Sequence, residues 1–121
     1  MPNYKMVVMS RPTEGREDEY NEWYQNVHLR ELVALQGFKS ARRFRYARSL
    51  AEGEAYPYMS IYEIETDDID AVLSNLRGTA ERGALTMSDA IDLTDTSAVV
   101  YEEFGAVVAA MPAFEAVREW V

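Results

Sequence analysis

The order of elements in this 121-residue chain predicts an α+β fold, a four-stranded antiparallel sheet with two helices on one face. Three observations carry that prediction. Tyr20, Trp23, Tyr24, Val27, Leu32 and Leu35 recur at helical spacing and stop at Gly37. Ile69, Val72, Leu73 and Leu76 repeat the pattern i, i+3, i+4, i+7. Segments of strand character stand before, between and after these two stripes.

In chain order, Tyr4–Met9 is short, apolar and partly β-branched, and reads as a buried strand. Pro12 and Gly15 punctuate the turn that follows, and a helix is expected to begin near Thr13 or Glu14. Glu14, Glu17, Asp18 and Glu19 crowd its first turns, where the helix dipole favours negative charge. From Phe38 to Arg48 the side chains alternate. Phe38, Ser40, Arg42, Phe44 and Tyr46 are expected on one face, and Lys39, Ala41, Arg43 and Arg45 on the other. Gly53 and Pro57 mark a hairpin loop, so Tyr58–Glu65 should return antiparallel. Thr66 reads as the N-cap of the second helix, with Arg77 and Gly78 ending it. Residues 79–95 read as a short helical turn and a covering loop. Ser97–Val108 reads as the last strand, with Gly105 a bulge, and Pro112 opens a short C-terminal helix bearing Phe114, Val117 and Trp120. This βαββαβ order is the ferredoxin-like arrangement. Its strands carry apolar and aromatic residues on both faces, so the face without helices needs a cover, and a second copy of the sheet supplies one. A homodimer in the form of an α/β barrel is the expectation.

Composition excludes several functions. The chain is one domain, 1–121, with 48% hydrophobic residues, enough for a core. Its net charge of -9 repels polyanions, which argues against nucleic acid and anionic membrane surfaces as partners. Cysteine is absent, so thiolate catalysis and Cys-ligated metals are excluded. No apolar run approaches the ~18 residues of a membrane span, and the N-terminal apolar run is too short for a signal peptide. A cytoplasmic protein is expected. No glycine-rich phosphate loop follows a strand, so no nucleotide cofactor is expected. RRFRYAR resembles an RNA-recognition strand, but the glycines of that motif and its companion strand motif are missing.

One stretch, YNEWYQNVHLRELVALQGFKSARRFRY, resembles the EthD-like proteins of the dimeric α/β-barrel superfamily. The matching residues are Trp23-Tyr24, His28, Glu31, Gly37-Phe38 and Ala41-x-Arg43-Phe44, and YMSIYEIE and MSDAIDLTDTSAVVYEEF look similar as well. Many relatives carry a proline two residues after the histidine, where this chain has Arg30. The resemblance implies the dimeric barrel and a small-molecule pocket. It leaves the chemistry open among dehydration, ring isomerisation, monooxygenation, decarboxylation and haem handling.

His28, the single histidine, is the candidate general acid or base, with Tyr24 one helical turn earlier. The bland alternative is a hydrogen-bonded histidine near a helix end. Glu31 is placed to orient the ring. His28 and Glu31 at i, i+3 are too few donors for zinc, and no metal is expected. Trp23, Tyr62 and Tyr101, with Tyr58, are candidate aromatic walls for a flat ligand, against ordinary core packing. Arg43 is the candidate for holding a carboxylate or a developing enolate, against simple pairing with Glu63 or Glu102. The leading expectation is a cofactor-independent lyase, isomerase or dehydratase acting by proton transfer on a small apolar or aromatic oxygenated compound. A non-catalytic ligand-binding or accessory protein of a catabolic pathway is the alternative, and a haem-binding monooxygenase a further one.

Overall fold

Alternation along the strands divides the sheet into one face that packs helices and one that does not. The structure, a computed structural model, describes residues 1–111, and the helix expected from Pro112 onward lies outside them. Its elements are β1 (Asn3–Ser10), α1 (Glu17–Trp23), a π-helical turn (Tyr24–His28), α2 (Leu29–Val33), β2 (Phe38–Arg45), β3 (Tyr58–Glu65), α3 (Ile69–Glu81) and β4 (Ser97–Glu102). The sheet order is β2-β3-β1-β4, and every neighbouring pair is antiparallel. This is the ferredoxin-like fold expected from the sequence. None of the described helices is long and apolar enough to cross a membrane.

The core lies between the helices and one sheet face. Met6 and Ser10 of β1, and Tyr58, Ser60, Tyr62 and Ile64 of β3, point into it. Tyr20, Trp23, Tyr24, Leu29 and Leu32 meet them from the first helical run, and Val72 from α3. On the opposite face stand Val7, Met9, Met59 and Ile61, flanked by Phe44 and Tyr101, which are 39% and 63% exposed. No described element covers that face.

Five differences from the expected elements stand out, besides β2 ending at Arg45 rather than Arg48. The first helix starts at Glu17 rather than Thr13, because Thr13 bonds residues 89 and 90 through its N–H and hydroxyl and Gly15 turns at φ +79°. The N-cap of α3 is Asp68 rather than Thr66, since the Asp68 carboxylate accepts from the Ala71 N–H at 3.0 Å. That helix runs through Gly78 to Glu81, and residues 84–96 form no further helical turn. β4 ends at Glu102, so Gly105 is not a bulge within it.

The fifth difference has the widest effect. A bulge between Phe38 and Ser40 shifts the register of β2, pairing Phe38 with Ile64 and Ser40 with Glu63. Phe38 therefore joins Ala41, Arg43 and Arg45 on the helix-packed face, leaving Ser40, Arg42 and Phe44 on the other. Just ahead of the strand, Gly37 has φ +92°, and a Cβ there would lie 2.8 Å from Val72 Cγ2. Glycine is required at that point both for the backbone angle and for the close approach of α3.

Candidate functional site

The candidate site is built around Arg43 on β2. In register it stands opposite Ser60, between the levels of Tyr58 and Tyr62. Ser60 is small, and the guanidinium occupies the space above it among aromatic rings. Tyr20 and Tyr24, one α-helical turn apart, supply two of them, and Tyr58 the third. The Arg43 Cζ lies 5.4, 4.7 and 5.2 Å from the ring centroids of Tyr20, Tyr24 and Tyr58. All three are within cation–π range.

Polar contacts fix the orientation. Arg43 Nη2 donates to Asn21 Oδ1 at 2.8 Å, and Asn21 Nδ2 donates to the Tyr58 hydroxyl at 3.2 Å. That hydroxyl donates to the Glu17 carboxylate. The Tyr20 hydroxyl shares a 2.6 Å hydrogen bond with Ser10 Oγ. Among the described residues Arg43 has no carboxylate within 4.0 Å, and its buried Nε has no hydrogen-bond partner. The expected pairing with Glu63 or Glu102 does not form, because Glu63 points to the opposite sheet face, where Lys5 takes it at 3.2 Å, and Glu102 lies on β4 at the other edge. Burial raises the proton affinity of the Tyr20 and Tyr58 hydroxyls above that of an ordinary tyrosine, and the Glu17 carboxylate adds to the effect at Tyr58. Both phenols therefore stay neutral.

His28 lies at the end of the π turn. The wider i→i+5 winding brings it against the residue five positions earlier, and its ring stacks on Trp23 at 4.6 Å. It meets Tyr24 edge-on at 5.1 Å. Burial of the imidazole lowers its pKa to about 4, despite the opposing pull of the Glu31 carboxylate. His28 is therefore neutral at physiological pH, and its buried Nδ1 has no hydrogen-bond partner among the described residues. Glu31 does not bond the ring. Its two oxygens accept from the Thr86 N–H and hydroxyl at 2.8 and 2.7 Å. Trp23 Nε1 donates to the Thr86 carbonyl at 2.8 Å, so the segment after α3 is clamped over the π turn. Among the described residues no group of three or more metal-ligating side chains of the His, Cys, Asp or Glu type comes together.

An open groove of about 740 Å³ runs along the free edge of β2, lined by Asn21, Arg42, Arg43, Arg45, Tyr46 and Tyr58 among others. A second, of about 400 Å³, adjoins it at Phe44 and Tyr46 and extends toward Tyr56 and Met59. Neither groove is lined by Trp23, Tyr24, His28, Tyr62 or Tyr101.

The structure thus brings Arg43 and Tyr24 into direct contact and places His28 against the far contacts of Tyr24 and Trp23. Tyr62 is fully buried next to Phe38, with its hydroxyl unpartnered among the described residues and, through burial, very reluctant to ionise. Tyr101 stands opposite Lys5 on the uncovered face and is separated from the others by the sheet. Asn21 and Glu17 were not legible as site residues. The available signal was their i, i+4 spacing on the tyrosine-bearing helix, with an asparagine in mid-helix, where its backbone-competing side chain usually disfavours it.

No protein-family model matches the chain, and no curated protein matches it either. Solved structures do. A protein from Shewanella loihica PV-4, provisionally named a monooxygenase, superposes with a TM-score of 0.56 at 11% identity, covering 88% of this chain and 99% of its own. An Arabidopsis thaliana protein gives 0.56 at 12% identity with the same coverage. An EthD family protein from Bacillus halodurans C-125 gives 0.48 at 12% identity, covering 86% of this chain and 100% of its own. At such identities the first two likenesses establish the shared fold and nothing beyond it.

Proposed function

We propose that the protein is a homodimeric small-molecule enzyme of lyase or isomerase type, in which Arg43 holds a developing oxyanion and His28 takes the proton. The observation that carries this reading is the guanidinium of Arg43. It is set among three tyrosine rings beside a groove of small-molecule size and has no carboxylate partner among the described residues. A fixed cation in a partly dry site stabilises an enolate oxygen better than mobile water does. In the proposed step a C–H bond next to the substrate carbonyl breaks. Its electrons pass to the carbonyl oxygen facing Arg43, and the proton passes to neutral His28 once the Tyr24 ring, which touches both residues, gives way. Return of that proton to a neighbouring carbon completes an isomerisation, and expulsion of a β-leaving group as its conjugate acid completes an elimination. Tyr24, which contacts both residues, and Trp23, which stacks on the imidazole, set the base in place. Tyr62 packs in the core and lines neither groove, and Tyr101 stands on the opposite sheet face.

The test is turnover on an oxygenated aromatic or apolar carbonyl panel by wild type, Arg43→Gln and His28→Ala. Each variant is expected to lose roughly a hundredfold or more in kcat/KM, since general-base catalysis and oxyanion stabilisation each contribute about that much. Full turnover by His28→Ala would remove His28 from the mechanism.

A second reading, a non-catalytic ligand-binding protein, is favoured by the fact that His28 lines neither groove. It predicts ligand retention at Arg43 without product, and equal affinity in wild type and His28→Ala.

A further inference from the structure

Seven arginines have no carboxylate within 4.0 Å among the described residues. Arg30, Arg77 and Arg82 lie apart at exposed helical or helix-end positions, while Arg42, Arg43, Arg45 and Arg48 follow one another along the free edge of the sheet. Lys5, Arg11, Arg16 and Lys39 are paired. In a chain of 21 acids and 12 bases, four successive unpaired cations are a local reversal of the overall charge. Three of them line the larger groove. Arg43 differs from the others in being half-buried and oriented, by the rings on its faces and by Asn21 on one nitrogen. Leaving such a cation without a counter-anion is costly, and a ligand that brings the anion recovers the cost.

We propose that this groove binds a planar aromatic monocarboxylate, its carboxylate on Arg43 with Arg45 adding charge and its ring against Tyr58 and Tyr46. This goes beyond the functional reading above and shares with it Arg43 as the ligand's anchor, placing a carboxylate there. Nη2 is taken by Asn21 and Nε is buried, so the carboxylate meets the delocalised guanidinium charge at Nη1. Phenolic rings on the groove wall offer flat apolar area to an aromatic ring. The net charge of -9 opposes multiply charged ligands and leaves a single charge as the favoured one. The groove, about 740 Å³, is within the usual range for small-molecule sites.

The experiment is calorimetric titration of the wild-type chain with benzoate, its neutral analogue benzamide, and phenyl phosphate, repeated on Arg43→Gln and Arg45→Gln. Benzoate is expected to bind at least roughly tenfold more tightly than benzamide, the ratio of a charged to a neutral hydrogen-bonded contact. Arg43→Gln should abolish that preference and Arg45→Gln should weaken it several-fold. Because the benzoate and benzamide comparison is made on the wild type, the outcome does not depend on Arg43→Gln folding. Equal binding of the two, tighter binding of phenyl phosphate, or no binding of benzoate would each overturn the carboxylate assignment. If benzamide binds as well as benzoate and Arg43→Gln still abolishes both, the carboxylate class falls and Arg43 remains the anchor of the functional reading. If binding is indifferent to Arg43, both fall.

Discussion

At the scale of single residues, His28 makes the clearest statement about pH. Its folded pKa is about 4, below the 6.5 of an unfolded imidazole, because burial penalises the charged ring. As pH drops, the unfolded chain takes up this proton before the folded one does. Stability from this source is complete above 6.5 and is lost progressively between 6.5 and 4. The full loss amounts to about 3 kcal/mol, from the shift and the energy per pKa unit. Asp89 is held below the ordinary carboxylate range by Arg16, and Asp92 by the Thr94 hydroxyl, so their protonation falls lower still. Urea unfolding at steps from pH 7 to 4.5 should show this loss in the wild type and a much flatter profile in His28→Gln. Equal slopes would mean that His28 is solvated. For the same reason the acid limb of any pH–rate profile should fall near 4 rather than near 6.5, with activity lost as pH drops through it.

At the scale of elements, the sequence was read well where one period runs unbroken and poorly where a local device interrupts it. β1 and β3 were legible within a residue, β1 as the short apolar run Tyr4–Met9 and β3 as the strand that follows the Gly53 and Pro57 loop. The π turn was not, since nothing in YQNVH distinguishes i→i+5 from i→i+4 winding, yet that turn is what stacks His28 on Trp23. The bulge after Phe38 was equally silent. A one-residue slip transfers a side chain to the other face, which is how Phe38 came to join the core. Arg43 was legible as an anion-holding candidate, whereas its ring environment depended on three elements meeting. Gly37 was read as a helix stop, but its second role, contact with Val72, needed α3 in place. Gly37→Ala should therefore cost more than a simple helix-end change. A left-handed angle of +92° and a 2.8 Å clash together predict about 1–3 kcal/mol of destabilisation, read as a shift in the urea midpoint at constant slope. A change within experimental scatter would show that α3 yields freely.

At the scale of the whole molecule, the sheet face that no described element covers is the feature that residues 1–111 do not explain. Val7, Met9, Met59 and Ile61 form its centre, with Phe44, Val99 and Tyr101 around them. An apolar sheet face of this kind is a candidate interaction surface. A second copy placed sheet to sheet would bury it with two-fold symmetry. Sedimentation should then give twice the 13.8 kDa chain mass, and Ile61→Asp, a charge at the centre of that face, should give the chain mass while far-UV circular dichroism stays unchanged. A wild type that sediments at the chain mass would contradict the dimer. The arginine groove opens on the free edge of β2, and Arg43 and Arg45 project to the helix side. Pairing of the sheets therefore leaves the anchor reachable.

We propose that small molecules are held at Arg43 on the helix side of this sheet. Amide chemical-shift mapping during titration with a small carbonyl or carboxylate compound tests it most directly. The largest shifts are expected to cluster at Asn21, Arg43, Arg45 and Tyr58. Shifts confined to Val7, Ile61, Val99 and Tyr101 on the opposite face, with Arg43 unmoved, would contradict it.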